Sequence, residues 1–241
     1  MDKKVHILYP LIKSSVGECE ELRYSLRSLE IHLKTDFDVT IIGYKPSWLN
    51  LKNVRYIYYG QCDKRYKNSL HAFDIMANIV DEFVVFNDDF YLLKNITAED
   101  LKQVYYLQDL NKVRVWGNRI YQQFLKKGYN EIKAKGYYGL SYATHTPQYY
   151  KSNIVRKVIY EVFNLFEKDF VAFENYYYNY IGAEKFAKPV KDVKVARYDK
   201  TKFNPREADG KIYLNFDENG MASGIWSYVT KRFNKKSKFE L

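Results

Sequence analysis

The chain predicts an α/β fold: a mostly parallel central sheet flanked by helices, followed by a mixed helical C-terminal half. Three observations carry this. Short apolar runs rich in β-branched and aromatic residues recur at 4–9, 37–43, 54–59 and 83–86, each stopped by a turn former. Amphipathic helical patterns separate the first run from the second and the third from the fourth. The resulting order, strand–helix–strand–strand–helix–strand, is that of parallel strands joined by crossovers.

"KVHILY" (4–9) is a short buried strand ending at Pro10. In "GECEELRYSLRSLEIHL", Leu22, Leu26, Leu29 and Leu33 fall on one helix face, with acids in the first turn. "FDVTIIG" (37–43) and "VRYIYY" (54–59) are strands closed by Gly43 and Gly60. Leu70, Phe73, Ala77 and Val80 line a second helix over 67–80, which delivers the chain to "FVVF" (83–86). "TAEDLKQVYYL" reads as a helix capped by Thr97, with Asp100 in a variant capping box. "VRVW" (113–116) is a further strand candidate, and 118–128 and 152–166 are helices. An aromatic-rich helix over "KDFVAFENYYYNYIG", two strands ("VKVARY" and "KIYLNF") and a final helix (221–232) complete the chain.

At 241 residues and 46% hydrophobic, the chain can bury one large core. Its N-terminal apolar run is too short for a signal peptide, and no window approaches the roughly 18 apolar residues of a membrane span. The expectation is a soluble protein, with at most peripheral membrane contact. Cys19 and Cys62 have neither metal-type spacing nor a disulfide framework, which fits a reducing, cytoplasmic setting. The net charge of +10 is uneven. Residues 111–160 hold ten basic side chains against Glu131 alone, and 185–241 are basic again. The division expected is a ligand-binding half at 1–110 and a second half at 111–241 with a basic tail. That second half favours a polyanionic partner.

"FVVFNDDFYLL" (83–93) is the most informative stretch. An Asn-Asp-Asp triplet after a strand is often only a turn. Here it falls at the carboxyl end of a buried strand, where open α/β sheets collect ligands, and Tyr9 falls at another such end. Two carboxylates there suit Mg²⁺ or Mn²⁺, which take hard oxygen ligands and share them with phosphates. Asp89 is the expected direct ligand, Asp88 a second ligand or its support, and Asn87 the residue facing a ribose. Asp63, Arg65, Lys67 and Asn68 open the preceding helix, a place suited to a phosphate or the base–ribose end of a nucleotide.

"ELRYSLRSLE", then "PSWL", then "FVVFNDDFYL" resemble the Stealth-type sugar-phosphate transferases and related phage and capsular glycosyltransferases of the GT-A fold. "THTPQYY" (144–150) is similar to their later His-x-Pro segment, and "KKSKFE" (235–240) to their ending. The chain reads "LYPLIKSSVG" where the Stealth group carries Trp-Val-Asp-Gly, so the resemblance implies glycosyl transfer in the broader sense. It also implies a GT-A-like fold, a nucleotide-sugar donor (a UDP-sugar first) and bound Mn²⁺ or Mg²⁺. His145 would complete the metal shell or contact the diphosphate. Lys236 and Ser237 would close over that diphosphate. An inverting transfer would take its base from Asp169 or Glu174.

The basic 111–160 block is interleaved with aromatics such as Trp116, Tyr121, Tyr138 and Tyr150, the charge-and-ring combination of a nucleic-acid groove. The favoured acceptor is therefore a hydroxymethylated base in duplex DNA, flipped out to be reached. The alternative is a glycosyl or sugar-phosphate transferase of cell-surface polysaccharide. A non-catalytic nucleic-acid-binding protein on a degenerate transferase fold is the alternative outside enzymes.

Overall fold

The computed structural model describes residues 4–13, 17–60, 65–112, 120–168 and 172–241, the side chains of 65–67, 120–122, 124 and 163–168 excepted. It is an α/β protein. Five strands form the main sheet: β1 (Val5–Leu11), β2 (Phe37–Gly43), β3 (Arg55–Tyr58), β4 (Glu82–Val85) and β9 (Gln148–Lys151), in the order β3-β2-β1-β4-β9. The first four are parallel, and β9 joins the edge antiparallel to β4.

Strand residues alternate between two buried faces, as period-2 geometry requires. Ile7, Tyr9, Val39, Ile41, Val84 and Phe86 pack with Leu22, Leu26 and Leu29 of helix α1 (Glu20–His32). Leu8, Ile42, Phe83 and Val85 pack with α2 (Arg65–Ala77), α5 (Ser152–Lys168) and α6 (Phe173–Tyr180). The β2–β3 crossover contains no helix; Trp48, Leu49 and Val54 fill the α1 side instead. β1 runs through Pro10, which pairs with Ile42, rather than stopping there. Gly43 then lies against β1 at φ 122°, where a Cβ would stand 2.1 Å from the Leu11 carbonyl oxygen.

After β4 a turn leads to β5 (Tyr91–Leu92), which belongs to a smaller sheet, β11-β12-β5. The helix expected over 97–107 is only α3 (Ala98–Leu101). Its capping box is present, with Asp100 Oδ2 accepting from the Thr97 backbone N–H at 2.8 Å. Beyond it the chain turns extended at β6 (Tyr105–Tyr106), which pairs with β10 (Lys188–Pro189) and so overrides helix continuation. A second short pairing joins β7 (Gln108–Asp109) to β8 (Leu140–Ser141). The strand expected at 113–116 lies outside the described residues. Helix α4 spans Ile120–Ala134, longer than expected.

The two late strands form as expected, β11 (Lys194–Arg197) parallel to β12 (Tyr213–Phe216). They share a third apolar cluster with α8 (Trp226–Arg232). The final helix is not continuous. A short turn, α7 (Glu218–Gly220), and a wide π-type turn (Met221–Ile225) precede α8, with Gly224 at φ 95° breaking the run. No helix among the described residues is long and apolar enough to cross a membrane.

Candidate functional site

From β1 the chain steps outward to β2 and β3, then returns through α2 across β1 to β4. The strand order therefore reverses between β1 and β4, and their carboxyl ends splay into a crevice. A cavity of about 310 Å³ lies there, walled by Pro10 near the end of β1, Ser69 from α2 and Asn87, Asp88 and Asp89 after β4. Glu21 from α1, His145, Phe216 at the end of β12 and Glu218 from α7 close the other sides.

The triplet is both a turn and a wall. The Asn87 carbonyl accepts the Phe90 backbone N–H at 3.2 Å, which presents the residues between them at the strand end. Two serines of α1 hold the backbone from Phe90 to Leu92. Ser25 donates to the Phe90 carbonyl at 2.6 Å, and Ser28 accepts the Leu92 N–H at 3.1 Å. Tyr9 is buried behind the turn with its hydroxyl 2.9 Å from Ser25, a supporting position rather than one on the cavity wall. Burial and then nearby Asp88 push its pKa up, with the Ser25 bond opposing.

Asp89, half-buried by surface area, is strongly perturbed. Burial, then repulsion from Asp88, raise its pKa to about 7. Asn215 Nδ2, donating to Asp89 Oδ2 at 3.2 Å, and Lys194 oppose the rise. Burial pushes Lys194 down to about 8, with Asp89 pulling the other way. Beneath the carboxylates the fully buried Tyr91 hydroxyl has no hydrogen-bond partner. Burial raises its pKa first, and Glu21, Asp89 and Asp88 raise it further, so it faces the acidic side. Its ring stacks on Phe216 at 5.4 Å.

His145 reaches the cavity on a strained turn, at φ 48°, an uncommon conformation for a residue with a side chain. The flanking hydroxyls of Thr144 and Thr146 meet at 2.8 Å. Two buried asparagines of α6 brace the approach. Asn175 Oδ1 accepts the N–H groups of Tyr142 and Ala143, and Asn179 Oδ1 those of Gly139 and Leu140. By surface area His145 is open to solvent, yet Phe90 and Tyr198 stand beside its ring at 6.2 and 6.1 Å. Desolvation, then Lys194, lower its pKa and favour the neutral imidazole.

The structure thus gathers Asn87, Asp88, Asp89 and His145 on one cavity. Asn68 is half-buried in the first turns of α2, beside the wall residue Ser69. Arg65 and Lys67 lie in the same helix, their side chains outside the described set, as are Asp63 and Asp169 altogether. Glu174 is not on the cavity wall. It lies in the first turn of α6, where burial raises its pKa and its charge bears on Tyr150 and Tyr178. Lys236 and Ser237 are also not on that wall. Ser237 is buried, and its N–H and hydroxyl bond Glu240 at 2.9 and 3.0 Å. The Lys236 ammonium meets the Leu241 carbonyl. Glu240 in turn receives Arg27 of α1 through two bonds of 2.7 Å, so this segment fastens α1 rather than the cavity.

Glu21, Ser69, Glu218, Lys194, Tyr198 and Asn215 belong to the site without having stood out in the sequence. Asn215 had a legible signal, a polar residue inside the apolar run "KIYLNF". Among the described residues, no three His, Cys, Asp or Glu side chains converge as a closed metal cage. The donor set nonetheless fits a hard cation that keeps positions for phosphate oxygens or water. Two adjacent carboxylates are present, one of them held with its charge poorly neutralised. A second cavity of about 350 Å³ sits at the opposite, amino ends of the strands. Its acids are already engaged, Glu82 by Tyr149 and Glu99 by Lys102, both at 2.6 Å, so the smaller acidic cavity is the better candidate. Compared with known proteins, the chain matches no protein-family model and no curated protein sequence.

Proposed function

We propose that this chain is a metal-dependent glycosyltransferase of GT-A-like architecture, moving a sugar from a nucleotide-sugar donor to an acceptor hydroxyl. One observation carries the reading: the Asn87–Asp89 turn opens onto the switch-point cavity that His145 shares. Asp89 and Asp88, with His145, would hold Mn²⁺ or Mg²⁺. A bound ion supplies the positive charge that stabilises a departing diphosphate. The chain's own residues do the remaining work. Exposed Asn87 is free to meet a ribose, and the first turns of α2, through Asn68 and Ser69, face the donor side. Glu21 and Glu218 are the further carboxylates on the cavity, and the acceptor hydroxyl needs one such group in an inverting transfer.

The acceptor we favour is a hydroxymethylated base in DNA. Exposed Lys126, Lys127, Lys133 and Lys135 on and just after α4, with Arg156, Lys157 and Tyr160 on α5, support a polyanion surface in the second half. The test is transfer from UDP-sugars with Mn²⁺ to duplexes containing 5-hydroxymethylpyrimidines, against unmodified duplexes. The expected result is sugar on the modified duplex only, lost in Asp89→Ala. Metal-dependent donor hydrolysis with no DNA product would move the acceptor to a surface polysaccharide. Duplex binding without donor turnover under any metal would replace the enzyme by a binding protein.

A further inference from the structure

We propose that Lys194, Tyr198 and Asn215 are positioning residues that orient Asp89 for a cation and tie it to the turn carrying His145. The inference rests on reading Asp89 as a cation ligand. Its basis is a chain of donors pointing one way. The Lys194 ammonium donates to the Tyr198 hydroxyl at 3.0 Å, Tyr198 donates to Asn215 Oδ1 at 2.8 Å, and Asn215 Nδ2 donates to Asp89 Oδ2 at 3.2 Å. An ammonium has no acceptor, so it forces the phenol to accept and to pass its own proton onward. The amide must then present its oxygen to the phenol and its nitrogen to Asp89. Flipping it would set an oxygen against a carboxylate. Each donor-to-acceptor choice is therefore fixed by the one before it, and the last favours an ionised, acceptor-only Asp89.

The same ammonium has a second arm. It donates to the Thr144 carbonyl at 2.6 Å, the residue before His145. Lys194 thus joins the turn after β4 to a loop more than fifty residues further on, and does so from a different sheet. Asn215, fully buried, fixes Oδ2, which leaves Oδ1 as the oxygen to meet a cation. Burying such a polar chain is costly unless every member is satisfied, and these contacts satisfy it from end to end. Near the carboxylates the buried Tyr91 hydroxyl is without a hydrogen-bond partner.

The test is Mn²⁺ titrated alone, by calorimetry, into the wild-type chain, Tyr198→Phe, Asn215→Leu and the double variant. Tyr198→Phe leaves the buried Asn215 Oδ1 without its donor and lowers the melting temperature, so each titration is run well below the variant's own melting point, where it is fully folded. The expected result is Mn²⁺ affinity about tenfold weaker in each single variant, the range for groups that orient metal ligands. The double variant should be no weaker than Asn215→Leu, because the two act through one chain. Should Asn215→Leu fail to fold, Lys194→Gln with Tyr198→Phe forms the same cycle. Wild-type Mn²⁺ binding left unchanged by Tyr198→Phe, or losses that multiply independently, would overturn the inference alone. A wild-type chain that binds neither Mn²⁺ nor Mg²⁺ would overturn both it and the reading of Asp89.

Discussion

Asp89 is a carboxylate kept where its charge is poorly compensated, and that has a consequence for stability apart from any activity. An unfolded aspartate ionises near pH 3.9, whereas Asp89 in the folded chain does so at about 7. Below about pH 4 both states are protonated and the residue is neutral in its effect. Between these values the folded state binds the extra proton, so stability falls as pH rises, and the cost is complete above about 7. Asp89→Asn keeps the shape and an oxygen for Asn215. It should raise the melting temperature at pH 8 without added metal, by about 1–2 kcal/mol in stability, and the gain should shrink towards pH 5. Thermal melts at the two pH values check this. A variant less stable than wild type at pH 8 would mean that Asp89 is compensated after all.

At the scale of the element, helix α1 is fastened at a long sequence distance. Arg27 is buried, and its two bonds to Glu240 are joined by a third to the Phe233 carbonyl at 3.0 Å. Burial alone would raise the Glu240 pKa, but bonds from Arg27 and Ser237 outweigh it and hold it below the ordinary value. The stability from this pair is thus fully present above the unfolded glutamate value of about 4.3, and is lost as pH falls through the lower folded one. Glu240→Gln should cost about 3–5 kcal/mol by leaving the guanidinium buried without a counter-charge. Arg27→Met with Glu240→Leu should cost less than the single change, by urea denaturation. This contact also marks what the sequence could express. Leu22, Leu26 and Leu29 announced α1 because an apolar face repeats within a few residues. Nothing local announces that Ser237 and Glu240 serve Arg27, so "KKSKFE" read as a lid on a diphosphate. The same holds at the cavity. Asn87–Asp89 was legible because strand, turn and carboxylates are adjacent. Lys194, Tyr198 and Asn215 are brought to Asp89 through the pairing of β11 with β12 and of β12 with β5. Asn175 and Asn179 were hidden in a helix whose aromatics dominate its pattern.

Over the whole molecule, an acidic cavity is set in a chain of net charge +10, so cation capture and polyanion attraction are assigned to different surfaces. The proposed function makes these separable. Changing Lys126, Lys127, Lys133 and Lys135 together to Gln should weaken duplex binding at least about tenfold at moderate salt and flatten its salt dependence. It should leave Mn²⁺ affinity unchanged. Fluorescence anisotropy across a salt series measures the first and calorimetry the second; equal duplex binding would remove α4 from the interface. The sheet itself has a further consequence, for how the chain is made. β4, which carries the triplet, is covered on its outer side by β9, and β9 is antiparallel and lies more than sixty residues later. During synthesis the first four strands leave the ribosome with the backbone edge of β4 still open and Phe83 and Val85 without their later cover. That edge can recruit another nascent chain until residue 151 has emerged. Slow emergence of residues 90 to 150 would therefore lengthen the interval in which such pairing lowers yield, and a chaperone that shields strand edges would act on this interval.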